Sequence, residues 1–157
     1  MPDASTSANP DADLLALENQ VCFALAVASR SVIGMYRPLL EPMGLTHPQY
    51  LVMLALWERG PHSVRALGDA LRLEPATLSP LLKRLEALGY VRRGRSPEDE
   101  RALRVELTDA GRELRAEALK VPPAVMRLLG MDVAELAALR DTLHTLIAAV
   151  EAAPARA

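Results

Sequence analysis

The stretch from Ser63 to Leu107 constrains the fold most, because two short helical patterns joined by a tight turn are followed at once by a change of period. Ser63 is placed to cap a helix carrying Val64, Leu67 and Leu71. A turn at 72–75 follows. Leu78, Leu81, Leu82, Leu85 and Leu88 then recur at helical spacing, and Gly89 ends the run. Beyond it, 90–93 reads as a short strand. In 102–107, Leu103, Val105 and Leu107 alternate with Arg104 and Glu106, the pattern of a half-buried strand, with 94–101 as the connecting loop. Helix, turn, helix and hairpin in that order predict a mainly α chain with a small β-wing, a winged helix-turn-helix.

The flanks are helical as well. Leu14, Leu17, Val21, Leu25, Ala28 and Val32 form an apolar stripe over 14–36, before Pro38, Pro42 and Gly44 mark a break. Thr46 with Gln49 forms a capping-box start, with Pro48 tolerated in the first turn, and that helix stops at Gly60-Pro61. Thr108 starts a further helix that Pro122-Pro123 is expected to interrupt. Asp132 with Glu135 starts a last one, with Leu136, Leu139, Leu143 and Leu146 on one face. The predicted division is a disordered tail over 1–12, an N-terminal dimerisation region over 13–45, the winged helix-turn-helix over 46–110 and C-terminal dimerisation helices over 111–152. The terminal stripes exceed what a small wing domain can bury, so a homodimer built from the termini is expected.

The whole chain carries a net charge of −2, which taken globally argues against a nucleic-acid partner. The local distribution reverses this. From Lys83 to Arg104 there are seven cations (Lys83, Arg84, Arg92, Arg93, Arg95, Arg101 and Arg104) against four acids (Glu86, Glu98, Asp99 and Glu100). Six of the cations are Arg, which suits phosphate forks and a narrow minor groove. With its leucines turned inward, the second helix presents Ala76, Pro80, Lys83 and Ala87 outward, flanked by Ser79 and Glu86 on one side and Thr77 and Arg84 on the other. Small side chains, hydroxyls and cations are what a major groove accepts. Taken alone, such a face is equally an ordinary solvated surface. Pro80 fits only if the helix starts near Ala76 or Thr77.

Arg95-Ser-Pro-Glu-Asp-Glu-Arg101, followed by Val105-Glu-Leu-Thr-Asp-Ala-Gly111, resembles the wing and following helix start of the MarR family of bacterial regulators. The resemblance spans most of 14–150. It implies a cytoplasmic dimer, a repressor by family default, on a pseudo-palindromic double-stranded operator. It also implies that Arg101 enters the minor groove and that Asp99 holds it there. Thr77, Ser79, Lys83, Arg84, Arg93 and Arg95 complete the expected DNA-binding set.

The chain has one cysteine, Cys22, which cannot staple the fold internally and suits a reducing compartment. A lone cysteine on an apolar helix is most often an inert small core residue. Yet Leu17-Glu-Asn-Gln-Val-Cys-Phe-Ala-Leu25, Tyr36-Arg-Pro-Leu-Leu-Glu-Pro42 and Pro48-Gln-Tyr-Leu-Val-Met-Leu54 resemble the organic-hydroperoxide-sensing, OhrR-like branch of the family, as does Leu78-Ser-Pro-Leu-Leu-Lys-Arg-Leu85. That resemblance makes Cys22 the redox sensor, with organic hydroperoxide and a small thiol as effectors, and Tyr36 a supporting hydroxyl. Two positions depart from the branch: Ala26 and His47 stand where it often has tyrosine. His47 is read either as a hydrogen-bond donor to the thiolate or as an exposed helix-start residue. Along one straight helix the 14 residues from Cys22 to Tyr36 span roughly 21 Å, so a contact between them needs a chain turn or a partner subunit.

One other input and two other functions stay open. A small aromatic acid could release the same repressor. A helical interaction protein could have kept the fold and lost DNA binding, which the intact Arg101 wing argues against. A thiol peroxidase would need acid–base partners that the three histidines (His47, His62 and His144) do not supply by any motif. No spacing suggests structural zinc, no cofactor is expected, and no signal peptide or membrane span is read in the sequence.

Overall fold

The computed structural model describes residues 14–98 and 102–153. The expected N-terminal tail lies outside them, as do Asp99 and Arg101 at the wing tip. In chain order the elements are α1 (Val21–Leu40), α2 (His47–Arg59), β1 (His62–Ser63), α3 (Val64–Leu71), α4 (Pro75–Ala87), β2 (Val91–Arg95), β3 (Leu103–Leu107), α5 (Asp109–Glu113), α6 (Arg115–Ala118), α7 (Val121–Leu129) and α8 (Val133–Ala152), with 3-10 turns at Leu17–Asn19 and Glu41–Met43.

The core lies between α2, α3, α4 and the sheet. Leu67, Leu78, Leu82, Leu85, Val52, Met53, Leu56, Val91 and Val105 are all at or below 2% exposure. Burying each large side chain there is worth about 1.5–3 kcal/mol. The turn between α3 and α4 is tight: Arg72 adopts a left-handed φ of 52°, and Leu73 N–H donates to the Gly68 carbonyl at 2.9 Å. A side chain at Gly68 would put a Cβ 2.9 Å from the Leu73 carbonyl oxygen, so the turn needs glycine there. The same holds where the wing meets α5. A Cβ at Gly111 would lie 2.0 Å from the Tyr90 carbonyl oxygen, and the Gly111 carbonyl accepts the Trp57 indole N–H at 2.9 Å.

Several caps form as the sequence predicts. Ser63 Oγ accepts from Ala66 N–H at 3.0 Å, Gln49 Oε1 accepts from Thr46 N–H at 2.9 Å, and Asp132 and Glu135 exchange bonds at 2.9 and 2.8 Å. Gln49, a buried polar side chain, owes its satisfaction to that cap.

Other expectations need correction. The helix read over 14–36 starts at Val21, because Gln20 is extended and its amide donates back to the Leu14 and Ala16 carbonyls. It runs through Pro38 to Leu40. A proline in the last turn forfeits a single backbone bond, and the burial of Leu40 in the core offsets that loss. The helical run that starts at Thr108 does break, at 119–120, and Pro122 and Pro123 follow in the first turn of α7, where unpaired N–H groups are normal. Helix α4 begins at Pro75, one residue before the expected start, and carries the solvent-exposed Pro80 inside it. The hairpin spans 91–95 and 103–107, and its register pairs Arg93 with Val105. The sequence showed no sign of β1, whose His62 and Ser63 join the outer edge of β3 to give the order β1-β3-β2. Leu103, expected inside, is 52% exposed because it lies at the far end of the hairpin, beyond the reach of the helices.

Candidate nucleic-acid interface and redox site

Helix α4 is amphipathic in the sense the sequence requires. Leu78, Leu82 and Leu85 are buried, while Thr77, Ser79, Lys83 and Arg84 are all exposed along the opposite face. Lys83 and Arg84 make no ion pair, so both charges face solvent unneutralised among the described residues.

The wing cations divide into two groups. Arg92 is paired with Glu106 at 2.5 Å. Arg93 is held by Glu86, near the C-terminal end of α4: Oε2 accepts from Nε at 3.0 Å and from a terminal guanidinium nitrogen at 2.8 Å, and Oε1 accepts from the Arg93 backbone N–H at 3.2 Å. Arg95 is exposed, and neither it nor Arg104 has an ion pair among the described residues. Among the described residues, the positive charge without an ion pair in this segment is therefore that of Lys83, Arg84, Arg95 and Arg104. The exposed face of α4 and the wing lie on adjacent elements, because β2 packs directly on α4.

Cys22 is in the first turn of α1 and exposed, so it is not a core residue of this chain. Tyr36 is near the far end of the same helix, which keeps it roughly 21 Å away by the helical rise. What Tyr36 does meet is His47, at the start of α2, ring edge to face with centroids 4.8 Å apart. Tyr50, one turn further along α2, has its ring centroid 6.0 Å from that of Tyr36. His47 is half-buried rather than an exposed helix-start residue. Burial lowers its pKa, which favours the neutral imidazole near pH 7 and works against the cationic form that would favour a thiolate most. Burial raises the pKa of both tyrosines, so each keeps its hydroxyl proton as a donor. The structure thus brings two sequence-predicted supporting residues together, adds Tyr50 to them, and leaves the cysteine of the same chain apart. Tyr50 belongs to the Pro48-Gln-Tyr motif, but only the fold reveals that it shares a cluster with Tyr36.

Two shallow cavities flank Trp57. One, of about 360 Å³, is lined by Leu56, Trp57, Leu107, Arg112 and Arg115 among others. The second, of about 270 Å³, is bordered by Tyr50, Leu54, Trp57, Arg115 and Leu119. Among the described residues no group of acidic, histidine and cysteine side chains could hold a metal ion, and no helix is long and apolar enough to cross a membrane.

The MarR family model matches residues 45–103, the segment from the start of α2 to the wing. The organic hydroperoxide resistance transcriptional regulator of Bacillus subtilis is 40% identical over 135 residues, covering 86% of this chain and 92% of its own. The chain belongs to the MarR family. It is a transcriptional regulator by that membership, not an enzyme. The HTH-type transcriptional regulator TtmR of Methylorubrum extorquens is 43% identical over 152 residues, covering 92% of this chain and 78% of its own. Among solved structures, reduced AbfR bound to DNA superposes with a TM-score of 0.76 at 33% identity, covering 90% of this chain and 96% of that one. AbfR, a Staphylococcus epidermidis protein, has also been solved overoxidised on DNA and in a disulfide form. The mainly helical winged fold is that of these MarR proteins.

Proposed function

We propose that this MarR protein is a cytoplasmic homodimeric repressor that grips a pseudo-palindromic duplex and releases it when organic hydroperoxide oxidises Cys22. The exposed face of α4 carries the DNA half of this reading. Thr77 and Ser79 supply hydroxyls for base edges, Lys83, Arg84 and Arg95 supply cations for phosphates, and Arg101 with Asp99 supplies the minor-groove finger. The dimer is supported by α8, which has 20 residues and buries none of them, with Leu139 at 47% and Val150 at 67% exposure. Apolar α1 residues at Val21, Phe23, Val27 and Ile33 are exposed too, and a second copy is what both helices lack.

The redox half rests on the separation of Cys22 from the Tyr36–His47 pair. Both ends of α1 are then incomplete alone, and an antiparallel arrangement of two α1 helices would bring the thiol of one protomer to the hydroxyl cluster of the other. The Cys22 thiolate attacks the distal peroxide oxygen, the O–O bond breaks, and the alkoxide leaves to take up a proton as alcohol. The resulting sulfenic acid condenses with a small external thiol, forming a mixed disulfide and water, since the chain has no second cysteine. The bulky adduct at the dimer interface then moves the two recognition helices out of register with the duplex.

The deciding experiment is an operator shift assay with organic hydroperoxide, with and without added small thiol. Cys22→Ser should bind DNA normally and stay bound under oxidant; release of that variant would remove Cys22 as the sensor. Arg101→Ala should weaken binding by about 1–3 kcal/mol at fixed salt.

A second input is favoured by the cavities beside Trp57. Trp57 with Arg112 and Arg115 in the lining, against one acid, Glu106, that is already paired with Arg92, suits a small aromatic acid in about 360 Å³. Release by a phenolic acid, unaffected by Cys22→Ser, would select that reading.

A further inference from the structure

Strand β2 is the outer strand of the wing sheet on the side facing α4, so its outward N–H groups have no strand partner. The Arg93 N–H is one of them, and it is Glu86 that accepts it, at 3.2 Å. The same carboxylate takes two bonds from the Arg93 guanidinium with its other oxygen. Both oxygens of a recognition-helix side chain are therefore committed to one residue of the wing, through main chain and side chain together. The pair is partly shielded, with side-chain exposures of 38% for Glu86 and 29% for Arg93. The Arg93 bonds hold the Glu86 carboxyl below the usual carboxylate range, side-chain bonds first and the backbone bond second. An acid on the edge of a DNA-facing helix repels phosphate, and an arginine tied to it loses most of its charge to the pair. Neither residue serves a phosphate well, yet together they join the two elements that must enter adjacent grooves at a set angle.

We propose that Glu86 and Arg93 are positioning residues: Glu86 clamps the wing to the recognition helix, and Arg93 acts through that clamp rather than as a DNA ligand. This rests on the DNA-binding reading above and refines it, since Arg93 leaves the set of direct contacts while Glu86, an acid, joins the recognition machinery. The mechanism is geometric. Without the clamp the wing pivots on its hairpin base, and contacts at the helix and at the wing are no longer satisfied by one duplex at once. Specific binding suffers, while non-specific attraction does not, because that term depends on net charge rather than register.

The sign of the effect makes this testable. The wild-type protein is used to select a duplex from a random pool, and affinities for that duplex and for a scrambled one of equal length are measured at fixed salt. Glu86→Ala should weaken the selected duplex by about tenfold, the scale of one mismatched base pair. Its affinity for the scrambled duplex should hold or rise, because an acid has left the DNA-facing side. Glu86→Gln, which keeps an acceptor for the Arg93 N–H, should fall between. The swap of Glu86→Arg with Arg93→Glu should recover part of the specificity ratio. Arg95→Gln should flatten the salt dependence by about 0.9 in log–log slope, the value of one phosphate contact, whereas Arg93→Gln should lower the specificity ratio with little change in slope. The clamp is overturned if Glu86→Ala binds both duplexes equally well or better. It is also overturned if Glu86→Ala and Glu86→Gln lose both affinities in proportion and the swap recovers nothing. Failure of the wild type to select any duplex would instead remove the DNA-binding reading, and the clamp with it.

Discussion

Helices α4 and α8 are both leucine-rich and amphipathic, yet one is finished within the chain and the other is not. In α4, Leu78, Leu82 and Leu85 are at 0–1% exposure against α2, α3 and the sheet. In α8 no residue is buried, and its described ion pair to the winged lobe, Arg72 to Glu151 at 2.6 Å, is between largely exposed side chains. The difference teaches where a single chain suffices. The DNA-reading lobe closes its own core and can hold the recognition helix rigid. Helix α8 finds no such burial within the chain, and α1 leaves Val21, Phe23, Val27 and Ile33 exposed although it buries Leu40 in the core, so the chemistry proposed for Cys22 sits on the less enclosed part of the molecule.

The comparison is broken most sharply by truncating both stripes. Leu82→Ala should cost about 2–5 kcal/mol in unfolding free energy, from lost burial and the cavity left behind. Urea denaturation measures it, and a cost under about 1 kcal/mol would mean α4 is not a core helix. Leu139→Glu with Leu143→Glu should leave the winged lobe folded while weakening self-association by about a hundredfold or more, as leucines that the proposed dimer would cover are exchanged for charges. Analytical ultracentrifugation reads this directly, and an unchanged association constant would send the dimer interface elsewhere.

A smaller effect tests the junction of the two regions, where Tyr36 on α1 meets His47 on α2. The folded chain lowers the His47 pKa by burial, so the unfolded chain binds that proton more tightly. The contribution is therefore complete above the ordinary imidazole value of about 6.5 and is lost as pH falls through the lower folded value. The wild-type melting temperature should drop between pH 7.5 and 5.5 by more than that of His47→Phe, and equal drops would show that the ring does not titrate in place. Smallest of all, Arg72→Ala should change stability by less than about 1 kcal/mol, because the Arg72–Glu151 pair is exposed. A larger loss would mean α8 is docked on the lobe more firmly than its exposure implies.

Much of this was legible in the residues. The spacing of Leu78, Leu82 and Leu85, the caps at Thr46, Ser63 and Asp132, and the charge cluster from Lys83 to Arg104 are local signals, set within a turn or two of chain. Where local signals misled, the cause was tertiary. Pro38 looked like a break but is carried within the helix by the burial of Leu40, whereas the break expected at Pro122-Pro123 falls just ahead of them, at 119–120. Strand β1 has only two residues and exists because β3 offers it an edge.

The sequence by itself determined the winged architecture, the exposed face of α4 and that Cys22 lies on a long apolar helix, because periodicity and capping act over a few residues; that Cys22 stands in the first turn of that helix came from the structure. Only the tertiary structure decided which cations are available. Arg92 and Arg93 read like Arg95 in the sequence, but strand register puts Glu106 beside the first and helix packing puts Glu86 beside the second. It also decided that Tyr36, His47 and Tyr50 share one cluster, since they meet only where α1 packs across α2. Such pairings depend on the through-space approach of elements distant or offset in sequence, and no local pattern encodes them.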